Sequence, residues 1–327
     1  PREEHVMLTR RRALQLSAAV FAATPGPAFG QAWPAKTIHA IIPFPAGGAS
    51  DVIARIVCEQ LSKQLGQTIV VENRSGAAGS IGAAIVAKAE PDGHTILIHS
   101  ISHTIAAATY SRLPYDAVKD FSAVASLGAM PNLLMVSPAK NYKSLRDLVE
   151  AALKNPGTMT YGSAGVGSIS HLSGERLKLA GKFQAVHVPY KGAPEALVDL
   201  MAGRIDFFYS PYLPAKPFID DKKLVPLVVA SEKRALALPN VPTGAESGYP
   251  NTEYPYWNMI FVPAKTPRAI VDKLHDEAVK AMDVVKDKIA KTGTELLSGS
   301  PKELDETVRK QIEINKELVK IAGVKVN

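Results

Sequence analysis

Three glycine- and serine-rich loops are the segments of this chain best suited to chemistry. They lie at residues 43–51, 73–80 and 161–170, and each stands between an apolar run and a helical pattern. Glycine lets the backbone approach a ligand closely, and a helix N-terminus presents free N–H groups with about half a positive charge. Such loops bind carboxylate or phosphate groups without an arginine. For any one of them, a tight turn followed by a capped helix is the alternative.

Signatures of common enzymes and metal sites are missing from the sequence. It contains no Gly-x-Ser-x-Gly nucleophile elbow, no Gly-Lys-Ser/Thr ending of a phosphate loop and no His-Glu-x-x-His. Residues 165–170 approach the dinucleotide fingerprint but lack its third glycine. His99 and His103 are four residues apart, but we expect them to point in different directions, and no third ligand is nearby. We therefore predict no catalytic residue, no metal site and no cofactor.

The other notable histidines and the one cysteine fit structural roles. His171 and His187 stand near the third loop and near the strand that follows it, where we expect structural hydrogen bonds. Cys58 is the only cysteine, so no disulfide can form within the chain. It falls in an amphipathic helical pattern at residues 52–58, which favours a buried, inert thiol over a catalytic one.

Length, composition and charge restrict the class of protein. The 327 residues suit two domains, and 46% hydrophobic with 21% charged residues describe a folded chain. The net charge is +7, and it falls to +5 without residues 1–30, which hold four basic and two acidic side chains. No Lys/Arg cluster alternates with aromatic residues, so we do not expect nucleic acid as a partner. A modest positive field suits small anionic ligands.

The N-terminal segment predicts export. Three arginines at residues 10–12 precede an apolar run at 13–23, and Ala28 and Gly30 supply the small residues of a cleavage site at positions −3 and −1. This pattern is typical of a secretory signal, so we expect residues 1–30 to be cleaved and the mature protein to be periplasmic. Residues 9–14 also resemble a twin-arginine signal, which leaves Sec and twin-arginine export open, and a basic surface helix is the plainer alternative. No other stretch reaches membrane-spanning length.

Short apolar runs alternate with helical patterns along the rest of the chain. From residue 38 to residue 100 the order is strand, helix, strand, helix, strand, and a second set of the same kind follows residue 138. This alternation predicts an α/β fold with mainly parallel, twisted sheets that carry helices on both faces. Strands are expected at 38–43, 68–71, 95–100, 158–163, 185–190, 205–210 and 224–230, and helices at 50–65, 79–89, 144–154, 169–180, 193–202, 267–291 and 301–321.

A short internal repeat bears on the topology. Residues 134–140 and 259–265 both read as apolar strands that end in Pro-Ala-Lys before a helix start. We interpret them as two strands that cross between two lobes, with chance similarity as the alternative. Lobe 1 would then comprise residues 31–137 plus 252–327, including the C-terminal helices, and lobe 2 would comprise residues 138–251.

Several motifs, taken in order, resemble one family along nearly the whole mature chain. They are Trp33-Pro34, Ile42-Pro43-Phe44-Pro45-Ala46-Gly47-Gly48 with Asp51, residues 70–79, Pro91-Asp92-Gly93-His94-Thr95, Leu113-Pro114-Tyr115-Asp116 with Lys119-Asp120-Phe121, Tyr161-Gly162-Ser163-Ala164-Gly165 with His171-Leu172, and Val188-Pro189-Tyr190-Lys191-Gly192. The family is the Bug-type solute receptors of tripartite tricarboxylate transporters. The resemblance implies a two-lobed periplasmic-binding-protein fold (Venus-flytrap, type II) that closes on one small carboxylate and delivers it to a membrane permease.

The resemblance also implies site residues. In such receptors a carboxylate is held by the first loop and by the Gly-Ser loop of lobe 2, partly through ordered waters. The matching positions are Phe44, Ala46, Gly47, Gly48, Ser50 and Asp51 in lobe 1, Ser163, Gly167 and Ser168 in lobe 2, and Ser100 and Ser102 in a loop that often supplies hydroxyls. Turn and capping roles are the alternative for each of them.

One departure from the family bears on the ligand. Beyond the segment 203–206, many relatives carry an acid where this chain has Ser210, and its absence disfavours a ligand with an ammonium group. Aromatic residues surround this segment, which favours a di- or aromatic carboxylate. Asp206, Tyr209 and Trp257 therefore complete the predicted site, with core or hinge packing as the alternative for part of the aromatic set.

Two other classes of protein stay open at this point. An exported α/β enzyme acting on an anionic substrate would need a nucleophile–base pair, which the sequence does not show. A ligand sensor that partners a signalling kinase would share the fold, and the sequence does not separate sensing from transport. For this architecture a monomer is expected.

Overall fold

The computed structural model of this protein describes residues 33–324. The predicted export signal at residues 1–30 lies outside the described residues. Among the helices of the described part, none is long and apolar enough to cross a membrane. The described chain folds into two five-stranded sheets, each covered by helices, which we call lobe 1 and lobe 2.

Strands and helices alternate through most of the chain. The strands are β1 Ile38–Ile42, β2 Ile69–Asn73, β3 Thr95–Ser100, β4 Phe121–Met130, β5 Asn132–Val136, β6 Thr160–Ser163, β7 Val186–Pro189, β8 Phe207–Pro211, β9 Val225–Val229 and β10 Tyr256–Pro263. The helices are α1 Ala49–Leu65, α2 Ser80–Ala87, α3 Ser102–Thr109, α4 Leu145–Lys154, α5 Ile169–Gly181, α6 Ala193–Met201, α7 Tyr212–Asp220, α8 Arg268–Val284, α9 Lys286–Ala290 and α10 Pro301–Ala322. The predicted elements are confirmed to within a few residues, and β4, α3 and α7 are additional.

The two sheets share one topology. In lobe 1 the order is β2-β1-β3-β10-β4, with β1, β2 and β3 parallel and β10 antiparallel to its neighbours. In lobe 2 the order is β7-β6-β8-β5-β9, with β5 as the antiparallel strand. The two strands of the Pro-Ala-Lys repeat, β5 and β10, therefore occupy equivalent places, and each is the first strand after the chain changes lobe.

The change of lobe comes earlier than the expected boundary at 137/138. Strand β5 pairs with β8 and β9 and so belongs to lobe 2, which places the first crossing at Pro131. The return crossing lies between β9 and β10, in a stretch that contains the expected boundary at 251/252. A proline between two long apolar strands offers no signal of which sheet each strand joins, so the sequence pattern placed β5 on the wrong side.

Helix caps and core positions agree with the sequence pattern. Ser144 and Ser300 form complete capping boxes at α4 and α10, and the second helix carries proline at its first position. Buried residues of α8 and α10 share one core with β1, so the C-terminal helices pack on lobe 1. Cys58 lies buried in that core, where burial raises the pKa of its thiol to about 12. The prediction that this thiol is buried is confirmed.

The expected geometry of His99 and His103 is wrong. The chain turns from β3 into α3 at Ser102, so the two residues do not share a strand. Their ring centroids lie 5.4 Å apart, and burial holds the pKa of His103 at about 4 and that of His99 well below its ordinary value. Within residues 33–324, the structure contains no group of three or more His, Cys, Asp or Glu side chains that could hold a metal ion.

Candidate functional site

The carboxyl ends of the parallel strands of both lobes face one cleft. A cavity of about 40 Å³ lies there, between the loops that follow β1, β3, β6 and β8. Its lining comprises Phe44, Pro45, Gly48, Ala49, Ser50, Ser100, Ser102 and Tyr256 from lobe 1, and Ala164, Ser168, Ile169, Ala193, Pro194 and Pro211 from lobe 2. This lining set contains no Asp, Glu, Lys, Arg or His residue.

Four helix N-termini lie at the cleft. Helices α1, α3, α5 and α6 begin at Ala49, Ser102, Ile169 and Ala193, and all four residues line the cavity. The caps of α1 and α6, Gly48 and Gly192, supply no side-chain hydrogen bond to the first turn. The positive ends of four helix dipoles therefore lie at a cleft with no charged side chain in its lining.

The first loop of lobe 1 is held from behind by Asp51. Its carboxylate accepts hydrogen bonds from the Gly47 N–H at 2.9 Å, from Asn73 Nδ2 at 2.9 Å and from Arg55 Nε at 3.0 Å. Asn73 also donates to the carbonyl of Phe44 at 2.9 Å. Burial alone would raise the pKa of Asp51, but the hydrogen bonds outweigh it and hold the pKa below its ordinary value. Asp51 therefore stays ionised and shapes the loop.

A buried cluster of hydroxyl and amide groups forms the lobe 1 wall of the cleft. Ser50 Oγ lies 2.8 Å from Tyr256 Oη and donates to Asn258 Oδ1 at 2.6 Å. Ser100 Oγ accepts a hydrogen bond from the Ser102 N–H at 3.3 Å. Burial raises the pKa of Tyr256, so its phenol stays protonated, and its proton goes to Ser50 Oγ because Ser50 gives its own proton to Asn258. These groups suit the oxygen atoms of a ligand.

The loop of lobe 2 is held by hydroxyls and neutral histidines. Ser163 Oγ lies 2.6 Å from His187 Nε2 and accepts from the Gly165 N–H at 3.1 Å. The Gly167 N–H donates to His171 Nδ1 at 3.2 Å, and the two imidazoles stack with centroids 4.0 Å apart. Burial lowers the pKa of His171 to about 4 and that of His187 to about 3. The predicted structural hydrogen bonds of both histidines are confirmed.

Direct contacts join the two lobes across the cleft. The Ile169 N–H of lobe 2 donates to Ser102 Oγ of lobe 1 at 3.2 Å, and Tyr110 Oη donates to the Val166 carbonyl at 3.0 Å. Gly192 lies so close to Pro45 that a Cβ atom there would stand 2.6 Å from the proline ring. Admission of a ligand larger than the cavity therefore requires the lobes to separate and these contacts to break.

The structure brings together only part of the predicted site. Phe44, Gly48, Ser50, Ser100, Ser102 and Ser168 line the cavity. Ala46 and Gly47 lie in the same loop beside it. Asp51, Ser163 and Gly167 bond to the backbone or side chains of the two loops and are absent from the lining.

Three predicted residues lie elsewhere. Asp206 accepts from Lys140 Nζ at 2.6 Å and from the Thr160 N–H at 2.7 Å, at the amino end of β6 and thus at the sheet edge opposite the cleft. Tyr209 belongs to the lobe 2 core and Trp257 to the lobe 1 core. For Trp257 the alternation of side chains on a strand gives the reason, since its neighbour Tyr256 is the residue that lines the cavity.

Several cavity residues carried no clear signal in the sequence. Tyr256 stands next to Trp257 in an aromatic run, and only the parity of β10 decides which of the two faces the cleft. Pro194 and Ala193 open α6, so the start of that helix after Gly192 is the signal that could have identified them. Pro211 ends β8 in the same way that Ser163 ends β6.

Two α/β lobes joined by two crossings, with helix N-termini around a shared cleft, define a two-lobed solute-binding protein. Residues 53–324 match the family described as Tripartite tricarboxylate transporter family receptor. The chain belongs to this family, so it is a substrate-binding receptor and not an enzyme. The resemblance stated from the motifs is confirmed.

Similar proteins agree with this assignment. A UPF0065 protein in the tcbD-tcbE intergenic region of Pseudomonas sp. (strain P51) is 37% identical over 86% of this chain and 85% of that protein. Protein BugT of Bordetella pertussis is 32% identical over 85% of this chain and 88% of that protein.

Solved structures with similar folds include two with bound carboxylates. The structure of Rpa4515 from R. palustris with adipate is 33% identical, with a TM-score of 0.86 over 90% of this chain and 99% of that one. The structure of MatC (Rpa3494) from Rhodopseudomonas palustris with bound malate is 31% identical, with a TM-score of 0.84 over 88% of this chain and 100% of that one.

Proposed function

We propose that this chain is a periplasmic receptor that captures a small aliphatic dicarboxylate between its lobes and delivers it to the permease of a tripartite tricarboxylate transporter. The observation that carries the proposal is the convergence of four helix N-termini on a cleft whose lining has no charged side chain. A carboxylate gains from the N–H groups and the helix dipoles there. An ammonium group would be buried without a carboxylate partner, which is costly.

The walls of the cleft favour a ligand with an apolar middle. Pro45, Ile169, Pro194 and Pro211 offer only apolar side chains, and the ring of Phe44 adds to them. Methylene groups lose little by contact with such a surface, whereas a third carboxylate would face it without a partner. The aromatic alternative loses support because Tyr209 and Trp257 lie in the cores. The structures of relatives with adipate and malate support a carboxylate, and the apolar walls favour the methylene chain of adipate.

Lobe closure would act as the binding step. A ligand stabilises the closed arrangement only to the extent that it binds this arrangement more tightly than the open one. Here the ligand would contact the loops of both lobes at once, and the hydrogen bond between Ile169 and Ser102 would form beside it. Closure would thereby present to the permease a surface that exists only when the receptor is loaded.

A thermal-shift screen of residues 31–327 tests the proposal. The panel comprises mono-, di- and tricarboxylates, aromatic acids and amino acids, after unfolding and refolding to remove any bound compound. At a hundredfold excess over the Kd, a ligand adds about 2.7 kcal/mol to the free energy of unfolding, which raises the Tm by about 5 °C. We expect adipate or another aliphatic dicarboxylate to give this shift and to be recovered unchanged. A panel without any shift, or a shift with amino acids alone, would contradict the proposal.

The delivery step needs a test in cells. Deletion of the receptor gene in its source bacterium is expected to abolish uptake of the dicarboxylate that gives the shift. If uptake persists and only the induction of transport genes is lost, the receptor serves a sensor and not the permease.

A further inference from the structure

A groove on lobe 1 is lined by residues of a family motif that does not contribute to the ligand cleft. Its volume is about 850 Å³, and it lies between the loop at residues 113–119 and the exposed face of α10. The loop carries Leu113-Pro114-Tyr115-Asp116 and Lys119, which matched the family yet have no place in the cleft lining. The groove is therefore a separate surface, and its chemistry can be considered separately from that of the cleft.

The groove is basic. Four basic side chains and two acidic ones line it. Asp116 accepts hydrogen bonds from the backbone N–H groups of Val118 and Lys119 at 2.9 Å, and Glu313 bonds to Lys316 at 2.8 Å. Both acidic groups are thus already engaged within the groove.

Two further cations in the groove are available. Arg309 and Lys310 are exposed on α10, and among residues 33–324 neither of them forms a salt bridge. Two other acids lie nearby on α10: Asp305 is half-buried and accepts from the Ala123 N–H at 2.8 Å, and the exposed Glu306 forms no salt bridge with Arg309 or Lys310 within residues 33–324. The positive charge of Arg309 and Lys310 therefore faces solvent, where it attracts carboxylates.

One end of the groove meets the seam between the lobes. Tyr110, at the end of α3, lines the groove and donates through Oη to the Val166 carbonyl at 3.0 Å. Its ring also packs against Gly167, where a Cβ atom would stand 3.0 Å away. Val166 and Gly167 belong to the lobe 2 loop that faces the ligand cleft. This end of the groove is therefore complete only when the lobes are closed.

We propose that this groove docks an acidic segment of the membrane permease, and that Tyr110 makes the docking depend on lobe closure. The inference rests on the proposed function, because it names the surface through which a loaded receptor would be recognised. Exposed charges at such a surface chiefly set the association rate and its dependence on salt. The partner segment is expected to present two or more carboxylates toward Arg309 and Lys310.

Charge reversal separates docking from ligand binding. The test variant is Arg309→Glu with Lys310→Glu, and the matched control is Lys288→Glu with Lys291→Glu, two exposed lysines at the end of α9. Each receptor is mixed with right-side-out inner-membrane vesicles from the source bacterium lacking the receptor gene, with and without adipate and at two NaCl concentrations. We expect the control to bind vesicles like the unmodified receptor, and the test variant to bind about tenfold less.

Two outcomes would overturn parts of this proposal, and a third separates it from the proposed function. Equal vesicle binding by the test variant and the control would overturn the groove as the docking surface. Equal binding of the unmodified receptor to protein-free phosphatidylglycerol liposomes would overturn the assignment of a protein partner, since a lipid surface would suffice. Absence of the adipate thermal shift in all three proteins would count against adipate as the ligand and so against the proposed function. The groove is still tested in that case, because charge reversal at Arg309 and Lys310 should lower vesicle binding relative to the control at whatever level the unmodified receptor binds.

Discussion

The two lobes present helix N-termini to the same cleft, but they hold the presenting loops with different chemistry. In lobe 1 an ionised carboxylate, Asp51, receives hydrogen bonds from Gly47, Asn73 and Arg55. In lobe 2 the corresponding work is done by neutral groups, since His171 accepts from the Gly167 N–H and His187 bonds to Ser163. The two lobes thus have similar loop backbones, but a charged side chain holds the loop in lobe 1 and neutral side chains hold it in lobe 2.

The difference predicts unequal responses to acid. The pKa of Asp51 is held below its ordinary value, so the lobe 1 loop keeps its carboxylate charged throughout mildly acidic conditions. The lobe 2 loop needs an unprotonated His171 Nδ1, and protonation of that atom removes the acceptor for the Gly167 N–H. Acidification should therefore disturb the lobe 2 loop first.

Among the variants that test the contrast between the lobes, replacement of Asp51 by alanine should change stability and ligand binding the most. Asp51→Ala leaves the Gly47 N–H and the Asn73 amide without their acceptor and the Arg55 guanidinium without its partner. Water can hydrate the half-exposed Arg55, so the cost comes chiefly from the two donors left without an acceptor, about 3 kcal/mol together. We expect the free energy of unfolding, measured in urea, to fall by this amount and the thermal shift with adipate to disappear.

The conservative variant serves as the control for this prediction. Asp51→Asn keeps one acceptor oxygen but no charge, so it should lie between the unmodified protein and Asp51→Ala in stability. An alanine variant as stable as the unmodified protein would show that the loop is held by its backbone alone, and the contrast between the lobes would lose its basis.

The pH dependence of stability should give the next largest effect. The pKa of His171 is about 4 in the folded protein and 6.5 at its ordinary value, so the unfolded chain takes up the proton first as the pH falls. The contribution of His171 to the free energy of unfolding is unchanged above pH 6.5 and is lost as the pH falls from 6.5 to 4. At pH 5 this loss amounts to about 2 kcal/mol.

The variant His171→Gln isolates this histidine. Its amide oxygen can still accept from the Gly167 N–H, but it cannot titrate. The groups that face His171 are His187, Glu175 and Lys178, and they are unchanged in the variant. The drop in the free energy of unfolding from pH 7 to pH 5 should be smaller by about 2 kcal/mol than in the unmodified protein. Equal drops would show that His171 is not the source of the acid sensitivity.

The order of elements was largely predictable from the sequence, because it depends on local signals. The capping boxes at Ser144 and Ser300 and the alternation of apolar runs placed most strands and helices within a few residues of their bounds. The missed helix α3 is nearly all buried and has no apolar stripe, so periodicity gave no signal for it. That omission also produced the wrong geometry for His99 and His103.

The site was predictable only in part, because its remaining residues depend on tertiary position. The loops and their glycines could be recognised, and they contribute Gly48, Ser50 and Ser168 to the cavity. The selection of Trp257 over Tyr256 required the parity of β10, which no local signal fixes. The selection of Asp206 failed although the strand predicted at 205–210 already placed this residue at its amino end, away from the carboxyl ends where ligands bind.

A smaller effect is expected from the cap of α5. Ser168 Oγ accepts from the His171 N–H, and loss of such a cap costs about 1 kcal/mol. Ser144→Ala at α4, which lies away from the cleft, is the matched control with the same kind of cap. Both variants should lose similar stability in urea, and only Ser168→Ala should weaken binding of the dicarboxylate. Equal affinity in the two variants would remove Ser168 from the ligand site.

The smallest effect concerns the contact between the lobes. Tyr110→Phe removes the hydrogen bond from Tyr110 Oη to the Val166 carbonyl, and this bond exists only when the lobes are closed. Its loss costs the closed arrangement about 0.7 kcal/mol, which corresponds to an about threefold weaker Kd for the dicarboxylate. The matched control is Tyr190→Phe, because Tyr190 Oη donates to Asp199 within lobe 2 at 2.7 Å and this bond does not report on closure. Isothermal titration should show a weaker Kd for Tyr110→Phe alone. A bond that forms equally in the open and closed arrangements cannot affect closure. An unchanged Kd would therefore mean that Tyr110 does not distinguish the two arrangements. Docking at its groove could then not depend on the ligand.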